Sequence, residues 1–211
     1  MNKIKAILFD MDGVLIEAKD WHYDALNKAL DLFGLKISRY DHLFTYDGLP
    51  TITKLEMLSI EYGLPNELHD FINEMKQIYT IEMVHSFCKP KFHHEYALSR
   101  LKREGYILTV CSNSVKSTIS LMMEKASLAQ YLDFSISAEE VSMPKPSPDM
   151  YIEAMNRLGL SPEECLIIED NENGIKAAKA SGANLMIVSE VDEVNYDNIV
   201  QNIKKFQETQ K

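Results

Sequence analysis

The stretch that decides the fold is Ile4-Lys-Ala-Ile-Leu-Phe-Asp-Met-Asp-Gly13. A short apolar run, broken only by Lys5 and ending on an acid, reads as a strand buried on both faces. Its carboxylate then lies at the strand's carboxyl end. Similar runs recur at 106–111, ending at Ser112, at 134–136, at 165–168, ending in Glu169-Asp170, and at 184–188, ending at Ser189. Helical patterns fill 92–104, 115–126, 148–158 and 173–181, and Gly105, Gly159 and Gly182 follow three of them as helix stops. Ser161-Pro-Glu-Glu164 is a capping box with proline at the first helical position. Strands alternating with helices through short links predict an α/β fold, a parallel sheet covered on both faces.

Residues 16–88 interrupt the alternation and contain no strand pattern. Tyr23, Leu26, Leu30 and Phe33 recur at helical spacing up to Gly34. Pro50 opens a second pattern (Ile52, Leu55, Leu58, Tyr62) closed by Gly63 and Pro65, and Leu68, Phe71, Ile72, Met75, Ile78 and Tyr79 mark a third. This predicts an all-helical cap at 16–88, inserted into a core domain made of 1–15 and 89–211.

The chain has 211 residues, 45% apolar and 26% charged, a globular balance. Lys and Arg number 22 against 32 Asp and Glu, for a net charge of −10, which argues against nucleic acid and anionic membranes as partners. No apolar run approaches the ~20 residues of a membrane span, and Asp10 and Asp12 interrupt the N-terminal run too early for a signal peptide. Cys88, Cys111 and Cys165 are scattered with no CxxC pair, so buried, unpaired thiols in a reducing compartment are expected, and with them a cytoplasmic protein.

In an open parallel sheet, ligands bind beyond the carboxyl ends of the strands. Those ends carry Asp10 and Asp12, Ser112 and Asn113, and Glu169 and Asp170, with Lys145 in the proline-rich loop before the helix at 148. Clustered carboxylates repel and raise one another's pKa, and a divalent cation resolves that repulsion. Mg²⁺, which favours carboxylate oxygens together with substrate phosphate, is the expected cofactor. The set suits phosphoryl transfer. Asp10 is the expected nucleophile, and Asp12 the acid that protonates the leaving oxygen and then activates water. Ser112, Asn113 and the neighbouring N–H groups are expected to hold phosphate oxygens. Lys145 offsets the charge, Asp170 completes the metal site, and Glu169 lies in or beside it.

The motifs Phe9-Asp-Met-Asp-Gly-Val-Leu15, Val110-Cys-Ser-Asn-Ser114, Pro144-Lys-Pro146 and Ile168-Glu-Asp-Asn-Glu-Asn-Gly174 resemble those of the haloacid dehalogenase superfamily, over essentially the whole chain. The resemblance is to the β-phosphoglucomutase and phosphoglycolate phosphatase subgroup with a helical C1 cap. It implies a Rossmann-like three-layer core, Asp10 as nucleophile and Asp12 as acid/base. The metal would be held by Asp10, the Asp12 carbonyl and Asp170, and the phosphoryl group by Ser112 and Lys145. The second aspartate argues against dehalogenation. His22 stands where many relatives carry a histidine facing the active site. Asp47-Gly-Leu-Pro-Thr51 matches the subgroup's specificity loop, with Thr51 where the mutases place a phosphate-holding arginine and Lys54 as the nearest cation. Tyr23, Tyr46 and His85 are further cap candidates. The expected enzyme is a monomeric phosphatase for a small phosphorylated metabolite, with a sugar phosphomutase as the alternative.

Overall fold

The computed structural model describes residues 4–209. The chain divides into two compact units, Met1–Glu17 with Lys89–Lys211, and Ala18–Cys88. The first holds a five-stranded sheet of β1 (Ala6–Phe9), β2 (Ile107–Ser112), β3 (Phe134–Ser137), β4 (Cys165–Glu169) and β5 (Asn184–Ile187). The strand order is β3-β2-β1-β4-β5 and every pairing is parallel. All strands are recovered within two residues of the apolar runs. From β1 the chain builds outward through β2 and β3, then crosses to β4 on the opposite side of β1. The loops after β1 and β4 therefore leave the sheet in different directions, which opens a crevice at their carboxyl ends.

Ala6, Leu8, Cys165 and Ile167 turn one face toward Met150, Tyr151, Ala154 and Met155 of α7 (Asp149–Leu158) and Ala177 and Ala178 of α8 (Glu172–Ser181). Alternation hands Ile7, Phe9, Leu108, Val110, Leu166 and Ile168, all fully buried, to the other face. There α5 (Phe92–Arg103) packs on β2 and on α9 (Tyr196–Thr209). The capping box at Ser161 is formed, over a single 3₁₀ turn. The three cysteines are buried and unpaired, and burial pushes the Cys111 and Cys165 thiols up to about 12. No helix among the described residues is long and apolar enough to cross a membrane.

His94 of α5 is buried, with Nε2 donating to the Val191 carbonyl at 2.9 Å. Burial, opposed by that bond, lowers its pKa to about 4 from 6.5. Between these values the unfolded chain binds the extra proton, so stability falls as pH drops from 6.5 toward 4. The loss is at most about 3 kcal/mol for this one group. His94→Gln, which keeps a donor for Val191, is expected to flatten that acid slope in denaturant titrations at pH 7.5, 6 and 5. An unchanged slope would show that His94 is not the group responsible.

The second unit is all-helical: α1 (Lys19–Asp31), α2 (Arg39–Asp41) continuing into a π turn at His42–Tyr46, α3 (Thr51–Tyr62) and α4 (His69–Phe87). The π turn is absent from the periodicity. The third pattern is also only partly right. The buried stripe of α4 is Ile72, Lys76, Thr80 and Val84, at strict four-residue spacing. The lysine at its second position disguised that stripe. The link after α1 is pinned by Asn27, whose Oδ1 accepts from Ile37 N–H at 2.9 Å while its Nδ2 donates to the Ile37 carbonyl at 3.2 Å.

Candidate active site

β1 delivers Asp10 to the edge of the sheet, where its N–H donates to the Ile168 carbonyl of β4 at 3.0 Å. The chain then folds back sharply. Leu15 and Ile16 N–H both donate to the Met11 carbonyl at 2.9 Å, and Gly13 N–H donates to Ile16 at 2.7 Å. Gly13 has φ +92°, a backbone that a Cβ disfavours. This loop keeps Asp12 at the same edge, and Ser114 Oγ donates to its Oδ2 at 3.2 Å.

Lys145 is 3% exposed. An ammonium has three protons to give, and all three are given. They go to Asp10 Oδ1 at 2.6 Å, Glu169 Oε1 at 2.7 Å and the Cys111 carbonyl at 2.7 Å. Asn113 seats the lysine: Lys145 N–H donates to Asn113 Oδ1, and Asn113 Nδ2 donates to the Lys145 carbonyl, both at 3.0 Å. The Asn113 carboxamide, expected to meet phosphate, is thus turned to the Lys145 backbone. Ser112 ends β2. Its Oγ accepts from Ser114 N–H at 3.1 Å, which orients the hydroxyl with its own proton as a donor.

Glu169 is fully buried. Its Oε1 accepts from Lys145 and from the Tyr151 hydroxyl at 2.5 Å, and its Oε2 from Asp170 N–H at 3.2 Å. Carboxylate oxygens of Asp10, Glu169 and Asp170 lie within 4.8 Å of one another, a cluster able to hold a metal ion. Burial pushes the Asp10 carboxyl well above its ordinary value. Lys145 opposes the rise, while Glu169, Asp170 and Asp12 add to it. Burial would lower Lys145, but Asp10 and Glu169 outweigh it and hold the ammonium charged. Burial, joined by the neighbouring acids, outweighs the one cation, so the direction for Asp10 is upward.

Tyr151, Ser114 and Lys76 were not among the expected site residues. Tyr151 sits in the apolar stripe of α7 and reads as core. The available signal was its hydroxyl, because a tyrosine on a wholly buried face must place that group on a partner. Within the helical unit, Lys76 Nζ donates to His22 Nδ1 at 3.3 Å, so this histidine is joined to a lysine. Lys54 is 7% exposed and thus buried rather than solvated, and Thr51 is the half-buried first residue of α3. Tyr23 packs against His42, and Tyr46 donates to Glu61 at 2.7 Å. His85 is exposed on α4 and joins none of these groups.

The sequence matches the haloacid dehalogenase-like hydrolases from residue 7 to residue 188. The chain belongs to that family. A phosphoglycolate phosphatase of Aquifex aeolicus is 28% identical over 179 residues, spanning 85% of this chain and 82% of the relative. A phosphorylated carbohydrates phosphatase of Thermotoga maritima is 24% identical over 184 residues, again 85% of this chain and 82% of the relative. In fold the chain is similar to a β-phosphoglucomutase from Clostridium difficile, at TM-score 0.83 and 20% identity over 97% of this chain and 99% of that one. Phosphatase relatives spanning most of both chains make this hydrolase an enzyme of the phosphatase class.

Proposed function

We propose that this enzyme hydrolyses the phosphate ester of a small metabolite, a sugar, polyol or short acid, with Mg²⁺ as cofactor and Asp10 as nucleophile. The observation that carries the reading is the Asp10 carboxylate at the sheet edge, 2.6 Å from the Lys145 ammonium and beside Asp170. Asp10 attacks phosphorus, and the ester oxygen leaves with a proton from Asp12. Asp12, now a base, takes a proton from water, which hydrolyses the aspartyl-phosphate. Ser112 and the adjacent N–H groups hold the phosphoryl oxygens, and Lys145 opposes the rise that burial imposes on the Asp10 carboxyl and contributes its charge.

The donor set suits Mg²⁺, because it is all carboxylate oxygen at close spacing. Asp10 and Asp170, with the Asp12 carbonyl, are the residues that would hold the ion. Glu169, whose oxygens already accept from Lys145, Tyr151 and Asp170, acts instead as counter-ion to the lysine. When bound, the ion supplies positive charge for the phosphoryl oxygens. With Lys145 it reverses the sign that the net charge of −10 suggests for the site. His22, Thr51 and Lys54 are proposed to select the leaving group.

A β-phosphoglucomutase-like isomerase is the second reading, favoured by the fold similarity. Thr51 counts against it, since threonine cannot clamp a second phosphate as an arginine does. Phosphate release from a panel of small phosphoesters, in Mg²⁺ and in chelator, tests the proposal. Release in Mg²⁺ that falls at least about 100-fold in chelator is expected, the scale of lost charge stabilisation. Turnover indifferent to chelation would remove the metal from the proposal. Conversion of β-glucose 1-phosphate to the 6-phosphate, with a bisphosphate primer and without phosphate release, would replace hydrolysis with isomerisation.

A further inference from the structure

The Lys145 ammonium is shared between two carboxylates at almost equal distance, 2.6 Å to Asp10 and 2.7 Å to Glu169. A shared cation sits nearer the better acceptor. Asp10 needs the charge if it is to stay ionised and aligned, so something must weaken Glu169 in that competition. Tyr151 does this. It is fully buried on α7, and its hydroxyl donates to Glu169 Oε1, the same oxygen that accepts from Lys145. Two donors on one oxygen divide its negative charge, so each is held less strongly than either would be alone. Oε2 is engaged by Asp170 N–H, and the carboxylate rests on Gly174, so Glu169 is not positioned to turn away. The tyrosine ring also lies under the ammonium, with Nζ 5.0 Å from its centroid, inside the range for attraction to the ring face.

We propose that Tyr151 is a positioning residue: by donating to Glu169 Oε1 it shifts the Lys145 ammonium toward Asp10. It touches neither substrate nor the reacting atoms. The inference rests on Asp10 being the nucleophile, so its test carries a control for that reading.

The experiment measures hydrolysis of p-nitrophenyl phosphate by the parent, Tyr151→Phe, Glu169→Gln, the double variant and Asp10→Asn. Phenylalanine keeps the ring and removes only the donor. The expected result is a kcat lowered about 10- to 100-fold, the scale of a hydrogen bond to a charged group, with KM within about twofold. In the Glu169→Gln background the same change is expected to cost no more than about twofold, because the residue it acts through is already altered. The proposal is overturned by an unchanged kcat, or by a full-sized loss that persists in the Glu169→Gln background. A drop of more than about 10 °C in the Tyr151→Phe melting midpoint also overturns it, in favour of a packing role. Activity surviving in Asp10→Asn strikes instead at the nucleophile assignment, so the two failures are distinguishable.

Discussion

Asp10→Asn is expected to release phosphate roughly 10⁴-fold more slowly than the parent or not at all, the scale of losing a covalent nucleophile. In chelator it is expected to melt higher than the parent. Both effects come from the same carboxylate. Asp10 is 8% exposed and shares its edge with Asp12, Glu169 and Asp170, so its pKa in the folded chain lies well above the ordinary 3.8. A carboxyl whose folded pKa is raised binds protons more readily folded than unfolded. Above pH 3.8, then, stability falls as pH rises toward the raised value, so ionising Asp10 costs the folded parent stability that the variant keeps. An amide carries no charge to bury and escapes that cost. A gain of about 1 kcal/mol corresponds to a midpoint roughly 2–4 °C higher in a chain of this size. Added Mg²⁺ should shrink the difference, because an ion held by Asp10 and Asp170 stabilises the parent more than the variant. Melting curves at pH 7.5 with chelator and with Mg²⁺ check this. If the variant melts lower in chelator, the attraction to Lys145 outweighs the crowding of acids, and the electrostatic balance drawn for the site has the wrong sign.

The sheet was legible because parallel strands are buried on both faces and so read as plain apolar runs, as at 165–168. The site was legible for a related reason. Asp10, Ser112 and Glu169 each end such a run, and a strand tip offers no packing motive for a polar side chain. The residues that hold those groups in place were less visible. Asn113 resembles a helix cap and Tyr151 a core aromatic until the Lys145 loop and Glu169 are folded against them. In the helical unit, periodicity found three long helices but gave no warning of the His42–Tyr46 π turn, whose stabilisation is tertiary. Lys76 also escaped, since a lysine is expected at the surface, while Lys54, named as the nearest cation to the specificity loop, proves buried as well, at 7% against 8% exposed for Lys76.

Gly174→Ala is expected to destabilise the chain and to cut turnover, although helix propensity alone points the other way. Gly174 lies within α8, where exchanging glycine for alanine ordinarily gains about 1 kcal/mol. At this position a Cβ would stand 1.9 Å from Glu169 Oε1 and 2.2 Å from Oε2. A carboxylate at the end of a flexible side chain often swings clear of such a clash at little cost. Glu169 is fully buried, and its oxygens are held by Lys145, Tyr151 and Asp170 N–H, so moving it breaks bonds that water cannot replace. Overpacking of about 1–3 kcal/mol combines with the loss of one or more charged hydrogen bonds, and together these exceed the propensity gain. The displaced carboxylate takes Lys145 with it, away from Asp10, so kcat is expected to fall about 100-fold or more. Denaturant titration and hydrolysis rates on one preparation measure both effects. A Gly174→Ala chain that is as stable and as fast as the parent would mean that Glu169 has a second resting place, and that Lys145 finds Asp10 without it.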